Sequence, residues 1–145
     1  MISILIPTYN NLDYLKLCIK SLKNNSKYDH ELIFHINDGS DGTLKFIKDL
    51  NYKYTYSEKN IGLCSAINEA ANLSSHKYIL YSHDDMYFCP NWDKVLLDEV
   101  KNLNHNNFYL SGTMIEPNSG HIVCDFGIDL DTFKEDELLS RYKSI

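Results

Sequence analysis

Tyr78-Ile79-Leu80-Tyr81-Ser82-His83-Asp84-Asp85-Met86-Tyr87 is the stretch from which the rest of the chain can be read. Its first half is apolar and aromatic, which predicts a buried strand from Lys77 to Ser82. Its second half ends in two adjacent carboxylates, with Cys89-Pro90-Asn91 close behind. A strand that carries paired acids to its C-terminal end delivers them where open α/β sheets bind ligands. Neighbouring carboxylates repel each other and lose hydration unless a cation or hydrogen-bond donors meet them. A hard divalent ion such as Mg²⁺ or Mn²⁺ meets that need, and it commonly bridges to phosphate. The alternative is a solvated turn with two acids, because Asp is a frequent turn residue.

The preceding segments alternate between two periodicities. Ile2-Ser3-Ile4-Leu5-Ile6 predicts a buried parallel strand that Pro7 ends. Leu12, Leu15, Ile19 and Leu22 recur at helical spacing, giving a helix to about Asn24. Glu31 to Ile36 reads as a second strand and runs into the turn cluster Asn37-Asp38-Gly39-Ser40-Asp41-Gly42-Thr43. A short helix carries Leu44, Ile47 and Leu50, and Tyr52 to Tyr56 is a more polar strand nearer an edge. Ile61 to Ala71, small and apolar on most sides, predicts a buried helix. After the carboxylate pair, Pro90-Asn91 opens a helix with Trp92, Leu96, Val100 and Leu103 on one stripe. Asn107 to Ile115 and His121 to Cys124 read as strands, and Thr132 to Tyr142 as an amphipathic helix. Four strand–helix alternations mean βαβ units and a mostly parallel sheet flanked by helices, an α/β/α three-layer fold.

Composition narrows the class. A length of 145 residues fits one domain, 1–145, large enough to hold its own core. The net charge of −6 without a basic block argues against nucleic acid as a partner. An acidic protein that binds an anion needs a cation or helix N-termini at the site. Cysteines 18, 64, 89 and 124 match neither a zinc pair nor a CxxC motif, so all four are expected to be free thiols in a reducing compartment. Met1 leads directly into a strand and no apolar run reaches membrane-spanning length, so the expected location is cytoplasmic, with peripheral membrane association as the variant.

In a parallel sheet, the loops after the strand C-termini gather along one edge. Here those loops hold Pro7-Thr8-Tyr9-Asn10, Asn37-Asp38-Gly39-Ser40-Asp41 and Ser82-His83-Asp84-Asp85. Together they offer an aromatic face, acceptors for ribose or base edges, and carboxylates for a metal. That inventory suits a nucleoside diphosphate held through a cation. Bland roles stand beside these: Tyr9 as an exposed loop aromatic, Asp38 as a turn former, Asn60 and Gly62 as the start of a helix, and His83 as a hydrogen-bonding neighbour. GxGxxG after the first strand, GxxxxGK[ST] and GxSxG are all absent, which sets aside dinucleotide Rossmann, P-loop and nucleophile-elbow chemistry.

Four motifs in register resemble the family 2 glycosyltransferases of the GT-A fold. They are Ser3-Ile4-Leu5-Ile6-Pro7-Thr8-Tyr9-Asn10, Asn37 to Thr43, Asn60-Ile61-Gly62 with Asn68, and His83-Asp84-Asp85, together spanning residues 2 to 103 well. The resemblance implies transfer of a sugar, usually with inversion, from a nucleotide-sugar donor with Mg²⁺ or Mn²⁺. It implies that Pro7, Thr8 and Tyr9 border base and ribose, that Asp38 contacts the base, and that Asn60 and Gly62 lie beside the nucleotide. Asp84 would sit by the ribose or donor sugar and Asp85 would bind the metal, with His83 in the first place of the family's Asp-x-Asp motif. The second loop opens with Asn37 where the family commonly has Asp. The family's base for the acceptor hydroxyl is a later Asp or Glu, for which Glu135 and Asp136 are the candidates. The expectation is therefore a donor-binding domain lacking the C-terminal acceptor and base part. The donor is first a UDP-sugar and the acceptor a glycan, lipid-linked or protein hydroxyl. A non-catalytic nucleotide-sugar-binding module and a nucleotidyltransferase are the competing readings.

Overall fold

The computed structural model describes residues 1–145, and its chain divides into two compact units. The first, residues 1–24 and 28–88, is a parallel sheet of β1 (Ile2–Tyr9), β2 (Glu31–Asn37), β3 (Lys53–Ser57) and β4 (Tyr78–Tyr81). These strands are linked through α1 (Leu12–Asn25), α2 (Thr43–Asp49) and α3 (Leu63–Ala71). Strand order is β3-β2-β1-β4, with Ile4 opposite Leu32 on one side and Leu80 on the other. β1 and β2 form the floor of the core because their residues are apolar on both faces: Ile4, Leu5, Ile6, Ile33, Phe34 and Ile36 are at most 1% exposed. Leu5 and Ile33 pack against Ala70 of α3, with Ile67, Ala71 and Leu73 around them. Phe34, on the opposite face, meets the Tyr52 ring at 5.2 Å.

Three sequence expectations are corrected. β1 does not stop at Pro7 but runs on to Tyr9 in register with β2. The proline is tolerated because of the sidedness of the ladder. The Leu5 carbonyl accepts Ser82 N–H at 3.0 Å, so Leu5 and its second neighbour Pro7 both face β4, and β4 has ended at Tyr81. β4 itself is an edge strand rather than a buried one, with Ile79 and Tyr81 exposed. α3 buries only Ala66 and Ala70, so Leu63, Cys64 and Asn68 face solvent and Asn68 needs no partner. Tyr52–Tyr56, expected nearer an edge, is the edge strand β3.

The second unit, residues 25–27 and 89–145, is built around α4 (Trp92–Asn102). Asp93 on its first turn is fully buried, and its carboxylate accepts the N–H groups of Lys27 and Lys94 at 2.9 and 2.8 Å. Trp92 Nε1 donates to Ser26 Oγ at 3.0 Å. The expected strand 107–115 shrinks to β5 (Ile115–Glu116), paired with β6 (Ile122–Val123), because residues 107–114 have no ladder to join. α5 (Glu135–Arg141) packs Leu138 inward, and Arg141 lies over the Phe126 ring at 5.5 Å. No helix is long and apolar enough to cross a membrane.

Candidate functional site

The loops that follow β1, β2, β3 and β4 meet at the C-terminal rim of the sheet, within the first unit. A pocket of about 270 Å³ opens there, lined by Pro7, Thr8, Tyr9, Asn10, Asn11, Asn37, Asn60, Leu63 and Asp84. Five of the residues singled out from sequence therefore share one cavity: Pro7, Thr8, Tyr9, Asn60 and Asp84. Tyr9 is 53% exposed, leaving its ring open for stacking. Thr8 is almost wholly buried, yet its Oγ1 has no hydrogen-bond partner. An unpaired buried hydroxyl is costly, which makes it a marker of a ligand position.

The loop after β1 and the loop after β2 are tied to each other. Asn10 and Asp38 both adopt the left-handed backbone region, with φ of 47° and 62°. Such conformations cost on the order of 1–3 kcal/mol in non-glycine residues and gather at functional sites. Asn10 Nδ2 donates to Asp38 Oδ2 at 2.9 Å, and the Asp38 N–H donates to the Ser57 carbonyl at 2.8 Å. Asp38 thus lies behind Asn10 and does not itself line the pocket. Gly39 must be glycine: φ is 73°, and a Cβ would stand 2.8 Å from Ile36 Cγ2 and 2.9 Å from Leu44 Cβ. Asp41 then accepts Leu12 N–H at 2.9 Å and Thr43 N–H at 3.0 Å, so one carboxylate serves the starts of both α1 and α2.

The loop after β3 ends in an Asx turn, in which Asn60 Oδ1 accepts the Gly62 N–H at 2.9 Å. Gly62 stands at the N-cap of α3 with φ 80° and ψ 162° and supplies no side-chain cap. It lies outside the pocket lining, but Leu63, the first residue of α3, is part of it. The first-turn N–H groups of α3 therefore start at the cavity wall without a side-chain acceptor.

The loop after β4 carries the acids. Asp84 is partly buried in the pocket wall, and Asn11 Nδ2 donates to its Oδ1 at 3.0 Å. Burial pushes the Asp84 carboxyl above its ordinary value. Thr8 and Asn11 pull it down, Thr8 without closing a hydrogen bond of its own, while the neighbouring charge of Asp85 pushes it up again. Asp85 is exposed and lies outside the pocket lining. His83 Nε2 pairs with the Tyr81 hydroxyl at 2.8 Å. Beneath this loop, Cys18 of α1 donates through Sγ to the His83 carbonyl at 3.8 Å. Burial, then Asp84 and Asp85, push its thiol up to about 12, so it stays protonated. Cys18, Cys64, Cys89 and Cys124 are all free thiols. No cluster of three His, Cys, Asp or Glu residues forms a protein-only metal cage. Glu135 and Asp136 stand in the second unit, in the first turn of α5, where acids complement the helix dipole.

Sequence reasoning missed Asn11 and Leu63 as pocket residues and Asn37 as more than the opening of a turn. The only signal for Asn11 is an amide directly before Leu12, the first apolar helix position, which equally reads as a helix cap.

The family model described as glycosyl transferase family 2 matches residues 3–126. An uncharacterized glycosyltransferase of Rickettsia bellii is 36% identical over 118 residues, covering 77% of this chain and 16% of that protein. The chondroitin synthase of Pasteurella multocida is 30% identical over 144 residues, covering 95% of this chain and 15% of the synthase. The chain thus spans less than a fifth of the length of either relative. Among solved structures, S. aureus TarS 1-349 in complex with UDP superposes with a TM-score of 0.62 at 19% identity, covering 76% of this chain and 38% of that one. The mannosyltransferase PcManGT of Pyrobaculum calidifontis, in complex with GDP-Man and Mn²⁺, gives 0.54 at 17% identity, covering 72% and 32%. These likenesses show the fold, a GT-A sheet with flanking helices, and the matched motifs and family model together show that the chain belongs to glycosyl transferase family 2.

Proposed function

We propose that this chain binds the nucleotide-diphosphate sugar donor of a metal-dependent glycosyltransferase, with a UDP-sugar as the first candidate. The observation that carries the reading is the content of this pocket. It holds an unpaired buried Thr8 hydroxyl, an open Tyr9 ring, the uncapped start of α3 and a carboxylate held above its ordinary pKa. Tyr9 stacks on the base, and Thr8 and Pro7 border the ribose. Asp38, outside the lining, acts on the base side through Asn10, whose amide it holds at the pocket wall. Asn60 and Gly62 hold α3 so that its free N–H groups face the diphosphate.

Asp85, with Asp84 beside it, fits a hard divalent ion of the Mg²⁺ or Mn²⁺ kind. Such ions are held by one or two carboxylates and complete their shell with phosphate oxygens and water. The ion supplies positive charge that stabilises the departing diphosphate. His83, paired with Tyr81, orients the loop and leaves Asp85 as the ligand. With Asp85 assigned to the cation and Asp84 to the ribose or donor sugar, the base for the acceptor hydroxyl is sought outside this loop. Glu135 and Asp136 are the candidates this chain offers.

The test is a thermal-shift series with UDP, GDP and other common nucleotides, each with and without Mn²⁺. A nucleotide at one hundred times its Kd should stabilise by about 2.7 kcal/mol. Chelation or Asp85→Ala should remove most of that shift. If no nucleotide moves the transition, with or without metal, the donor-site reading fails.

A further inference from the structure

Asn37 sits at the C-terminal end of β2, in the pocket wall, and only 4% of it is exposed. Its side-chain amide reaches three separate segments. Nδ2 donates to the Thr8 carbonyl at 3.4 Å. Oδ1 accepts the Ile61 N–H at 2.9 Å and faces the Ser57 hydroxyl at 3.1 Å. That hydroxyl has a single proton and also lies 2.8 Å from the Lys59 carbonyl and 3.2 Å from His35 Nε2. One proton cannot serve both acceptors, so the dependable donor to Oδ1 is the Ile61 N–H. Ile61 lies between Asn60, which lines the pocket, and Gly62, which opens α3.

We propose that Asn37 is a positioning residue for the donor site, setting the Asn60–Gly62 turn and the start of α3 against the nucleotide. The proposal rests on the donor-site reading above. It makes the Oδ1 acceptor the working atom and the weaker Nδ2 contact secondary. A carboxylate at position 37 should therefore keep the function, whereas a side chain that cannot reach Ile61 should lose it.

Three variants test this by calorimetric titration with UDP and Mn²⁺, alongside amide hydrogen exchange and melting temperature. Asn37→Ala and Asn37→Ser should weaken nucleotide binding at least about fivefold and lose exchange protection at Ile61. Asn37→Asp should bind within about twofold of the wild type and keep the protection. A role confined to stability would lower the melting temperature and leave Kd unchanged in the folded variants. Unchanged Kd in Asn37→Ala or Asn37→Ser therefore overturns the proposal, as does Asn37→Asp binding as poorly as they do. Should neither truncated variant fold, the wild type decides: an Ile61 amide that exchanges freely without nucleotide overturns it. A wild type that binds no nucleotide refutes the donor-site reading and this proposal with it. A wild type that binds while Asn37→Ala binds equally well refutes this proposal alone.

Discussion

Asp84 is a carboxylate held in the pocket wall at a cost to its charged form. Burial and the adjacent Asp85 raise its pKa against the opposing pull of Thr8 and Asn11. A carboxyl whose pKa is higher in the folded chain binds more protons there than in the unfolded one, so its contribution to stability falls as pH rises through that window. Asp84→Asn keeps an oxygen for Asn11 and removes the charge. It should raise the melting temperature at neutral pH by roughly 1–3 °C, an increment typical of relieving functional strain. That gain should vanish below the ordinary carboxylate range, and nucleotide binding with Mn²⁺ should weaken at least tenfold. Differential scanning calorimetry at two pH values and a binding titration check both halves. A variant less stable than the parent at pH 7 would contradict the argument.

At the scale of elements, Asp41 joins two helices that are far apart along the chain. Burial pushes its carboxyl up, but Thr43 and the Leu12 N–H outweigh that and hold it below its ordinary value. Asp41→Ala removes the acceptor at both helix starts and should cost about 2 kcal/mol, twice a typical single cap. Urea unfolding should show the lower midpoint with an unchanged slope. None of this double use could be read from the sequence, where Asp41 is one more polar residue in a turn cluster. The elements themselves were legible wherever periodicity was strong, as in α1 with Leu15, Ile19 and Leu22 and in the apolar run of β1. They were misjudged where the deciding factor was a neighbour. The edge position of β4 depends on strand order. The exposure of Cys64 and Leu63 on α3 depends on how little of that helix the sheet needs to cover. The site was legible as residue types at strand ends, and Thr8, Tyr9, Asn60 and Asp84 do share a cavity. Asn11 and Asn37 were not legible, because their roles are cross-loop hydrogen bonds that no local pattern encodes.

Across the first unit, the rim opposite the pocket is fastened by one carboxylate. Glu31, its side chain 11% exposed, bonds Ser3 Oγ of β1 at 2.5 Å, Lys53 Nζ of β3, and both the N–H and hydroxyl of Ser75 just before β4. Burial raises its pKa, but Lys53, Ser3 and Ser75 more than offset this and bring it down to about 2. Because the folded value is depressed, this stabilisation is complete above the ordinary carboxylate value. It is lost as pH falls from there toward about 2. Glu31→Gln should therefore destabilise the protein near neutrality by about 1–3 kcal/mol. It should also flatten the stability–pH curve between the ordinary value and about 2, which acid-dependent denaturation would reveal.

Pro7 carries a consequence of its own. Having no amide proton to offer on the side where β4 stops, it keeps β1 and β4 from zipping any further and leaves a fork in the sheet where two neighbouring chains part company. The strand order reverses at that same fork, and Pro7 and Asp84 stand on its two prongs. The cavity is therefore a product of strand divergence, set by where β1 and β4 separate.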